Sequence, residues 1–138
     1  MPCKLACRFA AMLLLLVVSC SEGPTHPDTG QAARTSITPG WLSVVLTTPN
    51  QNDGLVQLSV SGAPIDSLEL TGSGYASLGG GGAKLVVTGA VQSGVVARIW
   101  VPDLSAGSRY QGSVEAAAAL STYQLRDVTQ GYSVRVIR

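Results

Sequence analysis

Hydrophobic and polar residues alternate along most of the chain beyond residue 38, which is the pattern of β-strands with one buried face. The alternation is clearest in segments 41–48 and 55–61, where every second residue is Leu or Val. The residues predicted to face inward are Leu42, Val44, Leu46, Val56, Leu58 and Val60. Because Asp53-Gly54 between the segments is typical of a tight turn, we predict that the two strands pair as a hairpin.

Six further segments are predicted to be strands. They are 65–70, 75–78, 84–88, 94–101, 110–119 and 132–137. Pro64 precedes the first of them, which suits an edge strand. Segment 115–120 is rich in alanine and has helix propensity, so we interpret it as a strand, with one helical turn over 117–122 as the alternative. Short strands joined by tight turns predict an all-β fold, an antiparallel β-sandwich of about seven to nine strands.

Three segments share their pattern with a known class of sandwich. Asp53–Ser61 is an opening alternating strand, Ser93–Val101 places Gly-Val-Val-Ala before a hydrophobic run, and Tyr110–Val114 is a late strand that begins with tyrosine. These segments resemble cohesin-type domains and related immunoglobulin-like modules. The resemblance implies a jelly-roll sandwich, carries over no recognition residue, and does not imply dockerin binding.

The N-terminus has the three parts of a secretory signal. Lys4 and Arg8 are basic, residues 9–18 are uncharged and apolar, and small residues follow. Ten residues of helix rise only about 15 Å, half of a bilayer core, so a permanent transmembrane helix is not expected. Val17-Val18-Ser19-Cys20 resembles a bacterial lipobox, which implies that Cys20 carries the lipid. An ordinary cleaved signal is the alternative.

These features divide the chain into three parts. Residues 1–19 are the predicted lipoprotein signal peptide, 20–38 the lipidated Cys20 and a flexible tether, and 39–138 the sandwich. Ser21 follows the lipidated position, and the absence of Asp there favours the outer membrane. We therefore expect a lipid-anchored protein of the bacterial cell envelope, with the membrane as its partner through Cys20.

Composition excludes several classes of function. Nine Lys and Arg against eight Asp and Glu give a net charge of +1 with no basic run, which argues against a nucleic-acid partner. Cys3, Cys7 and Cys20 leave no thiol for a disulfide or a zinc site in the sandwich, and His26 lies in the tether. Scattered carboxylates such as Asp53 and Asp103 are interpreted as turn residues rather than calcium ligands. We expect no metal, no cofactor and no enzymatic activity.

Two tryptophans and one arginine are the candidate binding residues. In segment 94–101, alternation predicts Val95, Ala97, Ile99 and Val101 on one face and Val96, Arg98 and Trp100 on the other. Trp41 lies opposite the apolar stripe of its own strand. If they are exposed, Trp41, Arg98 and Trp100 form a candidate binding surface. From the sequence we favour the alternative, in which one or both indoles cap the core.

The function predicted from these features is that of a non-catalytic envelope lipoprotein whose sandwich binds a protein or has a structural role. The alternative is a carbohydrate-binding module that uses Trp100, Trp41 and either Tyr75 or Tyr123, so the partner is a protein or a polysaccharide of unknown identity. A hydrolase accessory or inhibitor domain is a third interpretation, which the residues neither support nor exclude.

Overall fold

The structure, a computed structural model, describes residues 36–138. The predicted signal peptide, Cys20 and the greater part of the predicted tether lie outside the described residues. Within the described range, no helix has the length and apolar content that crossing a membrane requires.

The described chain folds into eight β-strands and one short 3-10 helix, η1. The elements are β1 (Gly40–Thr47), β2 (Asp53–Ser61), β3 (Ser67–Leu70), β4 (Gly74–Gly79), β5 (Gly82–Val91), β6 (Gly94–Val101), η1 (Leu104–Arg109), β7 (Gln111–Ala119) and β8 (Ser133–Ile137). All strand pairs are antiparallel. The predicted all-β antiparallel fold with seven to nine strands is therefore confirmed.

All eight strands belong to one sheet, in the order β3-β6-β1-β8-β7-β2-β5-β4. The edge strands β3 and β4 are joined by residues 71–73 and approach within 8 Å between Cα atoms, so the sheet folds over its own inner face. The inner face holds the hydrophobic core, and the six residues predicted to face inward from β1 and β2 all belong to it. As predicted, β3 is an edge strand.

The predicted hairpin between β1 and β2 is wrong. β1 pairs with β6 and β8, whereas β2 pairs with β5 and β7, so residues 48–52 cross from one half of the sheet to the other. Asp53 does not lie in a turn: it is the first residue of β2, and its side chain is fully buried. A buried ionic partner of Asp53, described below, holds it there against its local turn propensity.

A β-bulge in β6 reverses the predicted orientation of two valines. Val44 of β1 pairs with Ala97 and Val45 pairs with Val95, which leaves Val96 as the extra residue. Val96 is therefore buried and Val95 exposed, whereas strict alternation predicts the opposite. The remaining residues of β6 face as predicted.

The alanine-rich segment is a strand, as predicted, and it contains a second bulge. Pairing of β7 with β2 shifts by one residue at Glu115. This shift turns Ala117 into the core, where strict alternation predicts an outward position. The strand continues to Ala119, so residues 117–119 are not helical. Residues 120–122 form a single turn, which the i→i+4 hydrogen bond from the Tyr123 amide to Ala119 O closes, so the expected helical turn is limited to this one turn after the strand.

The two ends of the sheet carry different connections. Gly40, where β1 begins, lies at the same end as η1. Residues 48–52, 92–93 and 120–132 lie at the opposite end, where the Thr48 amide donates a hydrogen bond of 2.9 Å to Ser93 Oγ. We call these the Gly40 end and the far end.

Candidate functional site

Trp41 and Trp100 contact each other on the outer face of the sheet. They are directly opposite in the pairing of β1 with β6, and their ring centroids lie 5.3 Å apart with the planes at 72°. This edge-to-face geometry contributes about 0.5–1.5 kcal/mol beyond the area that it buries. Each indole is half-buried, and neither belongs to the core or packs on it. The interpretation that one or both indoles cap the core is therefore wrong.

Arg98 lies on the same outer face and covers Trp41. Its guanidinium carbon is 5.1 Å from the centroid of the Trp41 ring, which is a cation–π distance. The Arg98 side chain is exposed, so this contact contributes about 0.5–1 kcal/mol. In the sheet register, Arg98 stands between Ser43 of β1 and Glu69 of β3. The structure thus brings together the three residues Trp41, Arg98 and Trp100.

The surface around these three residues extends over three strands, β6, β1 and β8. Its other members are the half-buried Val45 and the exposed Val95, Arg135 and Ile137. Val45 pairs with Val95 on one side and with Arg135 on the other, which makes the surface continuous. We call the seven residues the aromatic face; they are Trp41, Val45, Val95, Arg98, Trp100, Arg135 and Ile137.

The aromatic face is basic. It has two arginines, and Glu69 is the one acidic residue that the described strands place beside it. A partner surface with carboxylates would complement this charge.

The outer face of the other half of the sheet is polar by comparison. Lys84 Nζ lies 3.1 Å from Glu115 Oε1, and Gln57 Nε2 donates to Glu115 Oε2 at 2.6 Å. These two contacts, the one with Lys84 first, hold the pKa of the Glu115 carboxyl below its ordinary value. Tyr75 is exposed on this half. Both indoles of the domain, by contrast, lie on the aromatic face.

A buried polar cluster lies at the far end, and its centre is Asp53. Asp53 Oδ1 is 2.7 Å from Arg126 Nε, an ion pair whose angle lies outside that of a hydrogen bond. Asp53 Oδ2 accepts hydrogen bonds from the Thr48 hydroxyl and, at 2.8 Å, from the Tyr132 hydroxyl. We call these four residues the Asp53 cluster.

Two asparagines extend the Asp53 cluster into the neighbouring connections. Asn50 Nδ2 donates to Tyr132 Oη at 2.8 Å, and Arg126 Nη2 donates to Asn52 Oδ1 at 2.6 Å. The cluster thereby ties residues 48–52 to residues 120–132. Because both oxygens of Asp53 are occupied by protein groups, the arrangement is structural.

We expect the domain to lose stability at alkaline pH. Burial and the hydrogen bond to Asp53 raise the pKa of Tyr132, and burial raises that of Tyr110, whose hydroxyl donates to Pro64 O at 2.6 Å. Since the unfolded tyrosines ionise first, the stabilisation is complete below their unfolded pKa of about 10 and is lost as pH rises through the folded value. Urea unfolding across this range should show the decline, and Tyr132→Phe should reduce its slope. A free energy of unfolding that stays constant above pH 10 would contradict the expectation.

The sequence interpretation of the carboxylates is confirmed for Asp103 and wrong for Asp53. Asp103 caps η1, accepting a hydrogen bond of 2.9 Å from the Ser105 amide. Hydrogen bonds from the Ser105 side chain and amide lower the Asp103 pKa. Among residues 36–138, no three His, Cys, Asp or Glu side chains come together as ligands for a metal ion.

Comparison with known proteins adds no assignment to this geometry. No protein-family model, no curated protein and no solved structure matches the chain. The resemblance to cohesin-type modules therefore stays a prediction. The aromatic face and the sequence of the N-terminus are the two features of the chain that bear on its function.

Proposed function

We propose that this chain is a lipid-anchored, non-catalytic protein of the bacterial envelope that binds a protein partner through the aromatic face. The contact of Trp41, Trp100 and Arg98 on an outer sheet face is the observation that carries this proposal. Trp and Arg are the residue types most enriched at the energetic centres of protein interfaces. The continuous apolar and basic surface around them supplies the surroundings that such a centre requires.

The arrangement of the rings favours a protein over a polysaccharide. A sugar ring stacks on the open face of an aromatic ring, but Arg98 covers one face of Trp41. Because the two indoles meet at 72°, they do not form one flat platform. A protein partner contacts ring edges and supplies carboxylates for Arg98 and Arg135. A carbohydrate module that uses the exposed Tyr75 is the alternative.

The proposed anchor is lipid on Cys20, with the outer membrane as its location. Cys20→Ala should move the protein from the membrane fraction to the soluble fraction and abolish incorporation of labelled palmitate, because no other mature residue offers a thiol for acylation. Cys3→Ala is the matched control, since Cys3 lies in the predicted signal and should change neither readout. Membrane retention of the Cys20→Ala protein would contradict the anchor.

The proposed partner site is tested by photo-cross-linking in intact cells. A photoreactive residue at Ser43, beside Arg98 on the outer face of β1, should give one defined protein adduct. The same residue at Ser59, which contacts Ser113 on the polar outer face, is the matched control and should not give that adduct. Trp100→Ala should weaken capture by about 30-fold, the loss expected of an interface centre worth about 2 kcal/mol.

Two outcomes would contradict the proposed partner site. One is an identical adduct from positions 43 and 59, which would show that capture does not depend on the face. The other is an adduct at Ser43 that Trp100→Ala leaves unchanged, provided that circular dichroism shows the variant to be folded. An adduct that forms only with polysaccharide, and is lost in Tyr75→Ala, would favour the carbohydrate alternative.

A further inference from the structure

The connection between β7 and β8 exposes three large apolar side chains at the far end. The exposed fractions are 41% for Leu120, 79% for Tyr123 and 81% for Leu125. Residues 116–125 contain no charged side chain. We call Leu120, Tyr123 and Leu125 the apolar tip.

Backbone hydrogen bonds fold the segment that carries the apolar tip back on itself. The Ala119 amide donates to Gln124 O at 3.0 Å, and the Arg126 amide donates to Ala117 O at 2.9 Å. The Tyr123 amide donates to Ala119 O at 3.0 Å. The exposed side chains are thus held on an ordered turn.

The base of this turn is fixed to the body of the domain. The Leu120 amide donates to Asn52 O at 2.9 Å, and the ion pair of Arg126 with Asp53 holds the returning segment. Gly54 allows the close approach, because a Cβ there would lie 2.4 Å from Leu120 Cα. These contacts consequently fix the position of the apolar tip on the domain before any ligand binds.

Tyr123 adopts an unfavourable backbone conformation while its ring remains exposed. Its φ is 55°, in the left-handed region that bulky side chains rarely occupy. The ring makes no compensating contribution to the core. Conformations of this kind persist where the surrounding structure imposes them, and they concentrate at ligand-contacting positions.

We infer that the apolar tip inserts into the interfacial layer of a lipid bilayer. Tyrosine and leucine on an exposed turn match the chemistry of that layer, where an aromatic ring lies among headgroups and aliphatic side chains reach the acyl region. The apolar tip has three side chains where the aromatic face has seven, and a stable protein interface engages about 20–30 residues on each side, so the tip is the less suited of the two surfaces to a protein partner. A bilayer accepts so small a group when another link already holds the protein at the membrane.

That other link is the Cys20 lipid, so the inference rests on the proposed anchor. Positions 20 and 40 are separated by twenty residues, a length of chain that spans at most about 70 Å. The nine-residue β2 is about 30 Å long. The anchor therefore permits the far end to reach the bilayer that holds the lipid, at the high local concentration that attachment provides.

The lipidated protein reconstituted in phosphatidylcholine vesicles tests the inference. Once Cys20 is acylated, Gln124→Cys supplies a single thiol beside the tip for an environment-sensitive fluorophore, and Ser77→Cys on β4 is the matched control. We expect the label at position 124 to shift to the blue and to be quenched by a lipid-borne quencher, whereas the label at position 77 should show neither change. Tyr123→Ser with Leu125→Ser should abolish both changes. Because the apolar tip is uncharged, added phosphatidylglycerol or salt should leave the signals unchanged.

Each contrary outcome has a distinct meaning. Protein that fails to float with the vesicles contradicts the anchor, whichever position carries the label. Protein that floats while the label at position 124 stays unquenched overturns bilayer insertion alone. A label that responds only after a membrane protein is added to the vesicles also overturns it, and would assign the apolar tip to a protein partner.

Discussion

Asp53→Ala is expected to lower the free energy of unfolding by about 3–5 kcal/mol, a large part of the roughly 5–15 kcal/mol that holds a domain together. The substitution leaves the Arg126 guanidinium, whose side chain is only 24% exposed, without its counter-charge. It also removes the oxygen that accepts hydrogen bonds from the Thr48 and Tyr132 hydroxyls. Urea unfolding followed by circular dichroism measures the loss.

Asp66→Ala is the matched control for Asp53→Ala. Asp66 is an exposed carboxylate, so its removal should change the free energy of unfolding by less than about 0.5 kcal/mol. The double variant Asp53→Ala with Arg126→Met should be more stable than Asp53→Ala alone, because it removes the unpaired cation. Equal losses for Asp53→Ala and Asp66→Ala would show that the ion pair does not stabilise the fold.

The directions of most side chains were predictable from the sequence because alternation is a local property of extended backbone. Leu42 and Leu58 face inward for this reason, and Trp41 and Arg98 face outward. The partner of each strand was not predictable in the same way. The Asp53-Gly54 turn signal is local, whereas Asp53 is buried by Arg126, which lies far along the chain.

The bulges at Val96 and Glu115 were beyond prediction for a related physical reason. A bulge is decided by the register between two strands, so Val96 and Glu115 become extra residues only when β6 and β7 meet their neighbours. One extra residue in a strand places the residues on one side of the bulge on the opposite face of the sheet from the one that strict alternation predicts. The predicted orientation of Val95 was therefore wrong, and strict alternation likewise fails for Ala117, even though both strands were predicted.

The candidate site was predictable in part. Alternation placed Trp41 on one outward face and Arg98 with Trp100 on another, and the pairing of β1 with β6 brings them together. Arg135 and Ile137 were missed as members of the site, although both lie opposite the inward residues of β8. They join the aromatic face because β8 lies beside β1, an order that no local pattern contains.

Leu58→Ala is expected to lower the free energy of unfolding by about 3–5 kcal/mol, through loss of apolar burial and the cavity that remains. Leu58 is completely buried on β2, with Leu85 of β5 opposite it on one side and Val114 of β7 on the other. The cysteines leave no disulfide for the predicted mature domain, so its stability depends on packing. A cavity in the core reduces that packing directly. The measurement is urea unfolding, with the slope compared to that of the parent protein.

Leu125→Ala makes the same chemical change at the apolar tip and is the matched control. Since the Leu125 side chain is 81% exposed, the free energy of unfolding should change by less than about 0.5 kcal/mol. A loss as large as that of Leu58→Ala would mean that Leu125 packs against the domain, and would remove the basis for bilayer insertion. If Leu125→Ala leaves stability unchanged but reduces quenching of the label at position 124 in vesicles, the exposed leucine serves membrane contact and not folding. The pair of variants therefore separates residues that stabilise the sandwich from residues that are exposed on its surface for membrane contact.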